Sequence, residues 1–170
     1  MRKTGIASLV ISLGLAMGAT VPAYSSVPEA ELADKKIYGH IEQVQLGDLP
    51  EPIPARLDTG AQRSSLHAED IELIEEDGER LVRFVFRNGD GEAHTITRPL
   101  VEETRVRQAS GEESRYVVSL PLCVGDQRSD TEFTLSDRST MTYPMLVGRN
   151  FLSSHALVSS AHRNTLTPAC

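Results

Sequence analysis

The chain has 170 residues, 39% apolar and 24% charged, with 24 acidic against 17 basic side chains and a formal net charge of −7. That length supports one domain with a real core and excludes a two-lobed enzyme built from duplicated catalytic halves. The acidic balance, with no basic block and no aromatic–basic interleaving, argues against a nucleic-acid partner.

Residues 1–25 differ from the rest. Arg2 and Lys3 precede an apolar stretch from Ile6 to Ala23, which ends in the small-x-small pattern Ala23-Tyr24-Ser25. This predicts a secretory signal cut at about Ser25, with an uncleaved anchor as the alternative. Cleavage would remove Arg2 and Lys3 but no acidic residue, leave no stable membrane span and place the mature protein across the inner membrane, in the periplasm. Residues 26–36 form a polar leader, residues 37–160 the folded domain and residues 161–170 a tail.

From Ile37 to Leu46 apolar and polar residues alternate, the period of a half-buried strand. Gly47-Asp48-Leu49-Pro50 turns the chain, and Pro52 and Pro54 keep it extended until Ala55-Arg56-Leu57 enters the core. Ile71 to Glu75 and Arg80 to Phe86 are strands joined by the hairpin turn Glu76-Asp77-Gly78. A second turn, Arg87-Asn88-Gly89-Asp90-Gly91, leads into Ala93 to Arg98. Pro99 should break that strand, with extended structure resuming from Leu100 to Val106. Ala109-Ser110-Gly111-Glu112 makes a third turn. Arg115 to Val124 and Thr131 to Leu135 form a further pair, and Ser136 to Thr142 is a polar loop. Met145-Leu146-Val147, a short helix from Asn150 to Ser154 and a strand at Ala156-Leu157-Val158 close the domain. Many short strands and almost no helical periodicity predict an all-β, barrel-like fold.

Two stretches carry chemistry. In Arg56-Leu57-Asp58-Thr59-Gly60-Ala61 an apolar strand runs into an acidic turn. Its carboxylate can activate water, its hydroxyl can lock the loop, and its glycine admits a partner backbone. Met145 to Leu152, ninety or so residues later, is an apolar run stopped by Gly148 and followed by Arg149-Asn150. Together they resemble the retropepsin-like aspartic peptidases. Within these the likeness is to the bacterial group labelled "ATP-dependent zinc protease", through Ala55 to Ala61 with Ser64-Ser65-Leu66-His67-Ala68, and Phe133 to Ser139 with Tyr143 to Arg149.

The resemblance implies a closed retropepsin-like barrel with one short C-terminal helix. It implies Asp58 as the catalytic carboxylate, Thr59 as a clamp across a two-fold axis and Gly60 as room for an extended substrate. Gly148, Arg149 and Asn150 would pack beneath that turn. An aspartic peptidase needs two carboxylates that share a proton. The chain offers one Asp-Thr-Gly, so the mechanism demands a homodimer in which Asp58 faces its copy. A glycine-bearing hairpin closes over substrate in this family. Asn88 and Gly89 mark the leading candidate, Glu76-Asp77-Gly78 the other. Ala61, Arg63 and Arg138 are further candidates for substrate contact. In retroviral relatives the arginine equivalent to Arg149 pairs with an acid after the turn; here Gln62-Arg63 stands there, so Asp137 or Asp70 becomes the expected partner. Arg56, Arg63, Arg138 and Arg149 either gather as a receptor for a carboxylate-bearing, glutamate-rich substrate, or neutralise acids in loops. The group is associated with ATP-grasp glutamate ligases.

The group label finds no support in the residues. His40, His67, His94, His155 and His162 form no zinc motif, no phosphate-binding loop is present, and neither metal nor cofactor is expected. His67 suits packing or hydrogen bonding better than metal binding. In an oxidising compartment Cys123 and Cys170 would bridge and tie down the tail; two free thiols are the alternative. The leading reading is an exported aspartic endopeptidase acting on peptides or peptide-like amides. The others are a silent binding module of the same fold for an acidic peptide or partner protein, and a metal-assisted amidase using His67 and carboxylates.

Overall fold

The computed structural model describes residues 28–33, 35–108 and 111–170. The expected secretory signal, and Ala109-Ser110 of the third turn, lie outside the described residues. Within the stretch expected as a polar leader, Glu29–Ala33 forms a five-residue helix, α1. The strands that follow are β1 (Lys36–Gly39), β2 (Ile41–Leu46), β3 (Ile53–Leu57), β4 (Ser64–His67), β5 (Glu69–Glu76) and β6 (Glu79–Arg87). Next come β7 (Ala93–Gln108), β8 (Gly111–Val124), β9 (Gln127–Ser136), β10 (Met145–Val147), the helix α2 (Arg149–His155) and β11 (Ala156–Ser159).

Six strands, in the order β2-β3-β10-β4-β9-β8, close into a barrel because β8 pairs back onto β2. Closure removes sheet edges that would otherwise template aggregation. Strands β7, β6 and β5 continue outward from β8, and β1 pairs separately with β11. The expected all-β barrel with one short C-terminal helix is the observed fold. Alternation places one side of each barrel strand inside: Thr131, Phe133 and Leu135 of β9 are buried, as are Val44 and Leu46 of β2. Tyr38, Phe84, Phe86, Phe133, Met145 and Phe151 are the bulk of a core that extends under the β6–β7 layer.

Two elements depart from expectation. The strand expected from Ile37 to Leu46 is divided at His40 into β1 and β2. At the corner a Cβ on Gly39 would lie 2.6 Å from the His162 carbonyl oxygen and 2.7 Å from Arg163 Cα, so only glycine lets the tail cross there. Pro99 does not break its strand either. β7 runs through it, pairing with β6 up to Pro99 and with β8 from Leu100, with a register shift between Leu100 and Glu102. The missing proline N–H falls where the strand changes neighbours, so the ladder loses little.

The tail is strapped to this corner. The amide of Asn164 donates to the Ile41 carbonyl at 2.7 Å. Glu42 is fully buried, and its carboxylate accepts the amides of Gly39, Thr165 and Leu166 and the Thr165 hydroxyl. A buried carboxylate is tolerable with that many donors. Cys123 and Cys170 form a disulfide that fixes the chain end.

Candidate active site

Sheet topology explains why two stretches so far apart in sequence meet. β3 and β10 run parallel, with Leu57 beside Val147, so both strands end together and deliver Asp58 and Gly148 to the same place. The Asp58 amide donates to the Val147 carbonyl at 2.9 Å, continuing the ladder into the turn. There the chain reverses: the Asp58 carboxylate accepts the Gly60 amide at 2.9 Å, and its carbonyl accepts the Ala61 amide. Asp58 remains partly exposed, and Arg56 Nε stands 3.9 Å from its second oxygen. Thr59 and Gly60 are exposed, and no described residue hydrogen-bonds the Thr59 hydroxyl.

Beneath the turn, Gly148-Arg149-Asn150 forms a buttress. Arg149 Nη1 donates to the carbonyls of Thr59 (3.0 Å) and Gly60 (2.9 Å), and Nη2 donates to the Gln62 side-chain oxygen at 3.0 Å. The expected partners, Asp137 or Asp70, are therefore replaced by the turn itself. Gln62 supplies by its amide oxygen what an acid supplies in retroviral relatives, so no ion pair is needed to hold the guanidinium. Asn150 Oδ1 accepts the Ser64 amide and hydroxyl, and its Nδ2 donates to the Glu132 carbonyl. Gly148 is needed for proximity: a Cβ would stand 2.7 Å from the Arg63 carbonyl carbon.

On one side of the turn lies a groove of about 340 Å³ whose floor includes Ala61 and Leu146. Arg63, Arg115 and Arg138 line it, together with hydroxyls from Ser65, Ser136 and Thr104. On the other side Asp58 and Thr59 open into a second recess of about 310 Å³ with His40, Arg56, Val158 and Ser160. The four arginines singled out by sequence have separate duties. Arg149 is spent on the turn, Arg56 faces Asp58, and Arg63 pairs with Glu102 at 2.8 Å and Glu132 at 3.4 Å. Arg138 is partly buried, donates through Nε to the Tyr143 carbonyl, and has no carboxylate within ion-pair distance among the described residues. Burial first, then repulsion from Arg56, holds its pKa below the usual arginine value, with Asp58 opposing. Asp137 lines the groove as well, and the arginine there that no carboxylate among the described residues reaches at ion-pair distance is Arg138.

Asn88 and Gly89 are not at either recess. Asn88 caps its own turn by accepting the Asp90 and Glu92 amides and sits against Leu49, Pro50 and Glu51. Glu76-Asp77-Gly78 is the exposed tip of the β5–β6 hairpin. The hairpin of β7 and β8 borders the groove instead, through Thr104 and Arg115. Sequence reasoning missed these two residues, and Glu102, because the assumed break at Pro99 hid the length of that arm. His67 is engaged at both ring nitrogens: Nδ1 accepts the Arg138 amide at 2.9 Å, which leaves Nε2–H toward Glu69 Oε1 at 3.4 Å. The histidine pins the 137–144 loop and so positions Arg138. Among the described residues no three His, Cys, Asp or Glu side chains gather as a metal set.

A closed barrel that presents an Asp-Thr-Gly turn on a Gly-Arg-Asn buttress defines a retropepsin-like fold. The chain belongs to the family described as "RimB-like: Retropepsin-like aspartic endopeptidase RimB", which it matches over residues 37–168. It is similar to a "Probable alpha-L-glutamate ligase" of Desulfotalea psychrophila, 34% identical over 132 residues, covering 75% of this chain and 28% of that protein. A protein of the same name from Parasynechococcus marenigrum is 36% identical over 129 residues, covering 73% of this chain and 28% of the relative. This chain therefore spans little more than a quarter of those curated relatives. Among solved structures, the Legionella pneumophila protein Lpg0085, of unknown function, superposes with a TM-score of 0.67 at 31% identity, covering 76% of this chain and 96% of that one.

Proposed function

We propose that this protein is an aspartic endopeptidase that works as a homodimer after export, cleaving peptide or peptide-like amide bonds in carboxylate-bearing, glutamate-rich substrates. The observation that supports the proposal is the Asp58-Thr59-Gly60 turn, held from below by Arg149, with Asp58 partly exposed and Thr59 and Gly60 exposed. One carboxylate per chain cannot act as both base and acid. Two copies about a two-fold axis supply both, sharing one proton because like charges that close do not both ionise. The ionised Asp58 takes a proton from water as it attacks the scissile carbonyl, and the protonated one donates to the carbonyl oxygen. The free Thr59 hydroxyl is available to clamp the partner's loop. The substrate preference is supported by the arginine-lined groove and by the glutamate ligase name of the relatives.

Replacing Asp58 with Asn tests the catalytic part. Hydrolysis of a glutamate-rich peptide library should fall by about 10²–10⁴-fold while peptide binding persists. Unchanged hydrolysis would end the aspartic mechanism, and binding without turnover in the parent protein would mean a silent module. Sedimentation of the mature chain with and without peptide reads the dimer.

A further inference from the structure

Two of the arginines lining the groove, Arg63 and Arg138, differ in one respect that the proposed activity does not use. Arg138 has no carboxylate partner among the described residues, whereas Arg63 has two. One of those, Glu132, belongs to the barrel strand β9. The other, Glu102, comes from the β7 arm, just where the register shift between Leu100 and Glu102 re-aims the side chains. Its carboxylate is held at both oxygens: Oε2 accepts Arg63 Nη2 at 2.8 Å, and Oε1 accepts the Thr104 hydroxyl at 2.9 Å. A guanidinium plus a hydroxyl is the donor set that this groove offers to any incoming carboxylate. The Arg63 contact first, then the Thr104 hydroxyl, keep the Glu102 pKa below the usual carboxylate range, so Glu102 holds Arg63 as an anion.

We infer that Glu102 is a built-in occupant of the groove's carboxylate subsite, and that an acidic substrate reaches Arg63 by displacing it. The inference rests on the proposed carboxylate-bearing substrate. Glu102 is about half exposed, with a side-chain accessibility of 48%, so its ion pair is of the weak, exchangeable kind. Exchange substitutes one carboxylate for another on the same guanidinium and frees the β7–β8 arm at that tether, while Glu132 keeps Arg63 oriented. A neutral peptide gains nothing by the exchange and leaves the tether closed. Glu102 therefore raises the threshold for acidic ligands and makes their capture the event that loosens the arm.

The experiment uses the Asp58→Asn protein, so that the probes survive, and titrates a capped triglutamate peptide and its triglutamine counterpart by calorimetry. Adding Glu102→Gln should tighten triglutamate binding roughly two- to five-fold and leave triglutamine unchanged. In an Arg63→Gln background the same substitution should have no effect on either peptide, which a merely structural role for Glu102 would not produce. Equal or weaker triglutamate binding after Glu102→Gln, at unchanged thermal midpoint, overturns the inference and leaves the proposed substrate class standing. If triglutamate binds no better than triglutamine before Glu102 is altered, the substrate class itself fails, and the inference with it.

Discussion

The buttress under the Asp58 turn and the groove beside it are built from the same side chain with opposite outcomes. Arg149 commits three of its five N–H donors to two carbonyls and an amide oxygen of the turn above it, so its orientation is fixed by its own chain. Arg138, partly buried a short distance away, spends one donor on the Tyr143 carbonyl and keeps the rest of its fork. An arginine anchored by three acceptors of its own turn is scaffolding, and one that is desolvated without a counter-ion is poised for an anion. Position in the fold, and not residue type, separates the two.

The comparison is broken most severely at Gly148. Substituting alanine drives a Cβ against the Arg63 backbone, so unfolding free energy in urea should drop by about 1–3 kcal/mol and the Asp58 turn should lose its register. Arg149→Gln, at an exposed position, should cost less, about 0.5–1.5 kcal/mol, and reduce hydrolysis of acidic and neutral peptides alike. Arg138→Gln should do the reverse: a thermal midpoint near that of the parent, with KM for glutamate-rich peptides raised roughly ten-fold and KM for neutral peptides little changed. If both arginine substitutions lowered stability equally, the distinction between scaffold and receptor would collapse.

The smallest effect at neutral pH lies at the strapped corner, remote from both regions. Tyr38 is fully buried, donates to the Val124 carbonyl at 3.2 Å, and has its pKa pushed up to about 12, chiefly by burial and then by Asp126 and Glu42. The folded state holds this proton more tightly than the unfolded chain, whose tyrosine titrates near ~10. Its contribution is thus complete below about pH 10 and is lost as pH rises from there through about 12. Thermal unfolding followed between pH 8 and 12 should show that loss in the parent protein and a flatter profile in Tyr38→Phe.

Much of the domain was legible in the chain because its signals are local. Alternation in Ile41 to Leu46 and Thr131 to Leu135, the Asp77-Gly78 turn with both residues at positive φ, and the apolar run into Gly148 each act over a few residues. The Asp-Thr-Gly turn and the Gly-Arg-Asn run were found the same way, and their juxtaposition was implied by family resemblance. Pro99 misled because a proline's effect depends on whether the neighbouring strand needs its N–H, and that neighbour changes at that residue. Asn88 and Gly89, the leading flap candidates, lie away from the groove, with Asn88 beside Leu49, Pro50 and Glu51.

What the sequence determined by itself was the alphabet of the site: an acidic turn, a glycine-arginine-asparagine support, a set of arginines and two cysteines. What only the tertiary structure decided was the pairing. Parallel alignment of β3 with β10 put Asp58 beside Gly148, the β7–β8 arm brought Glu102 to Arg63, and the His67-anchored loop left Arg138 facing the groove. Strand formation is written in periodicity, which neighbours share along the chain. Charge compensation depends on which distant elements close the barrel, and no local pattern encodes that distance.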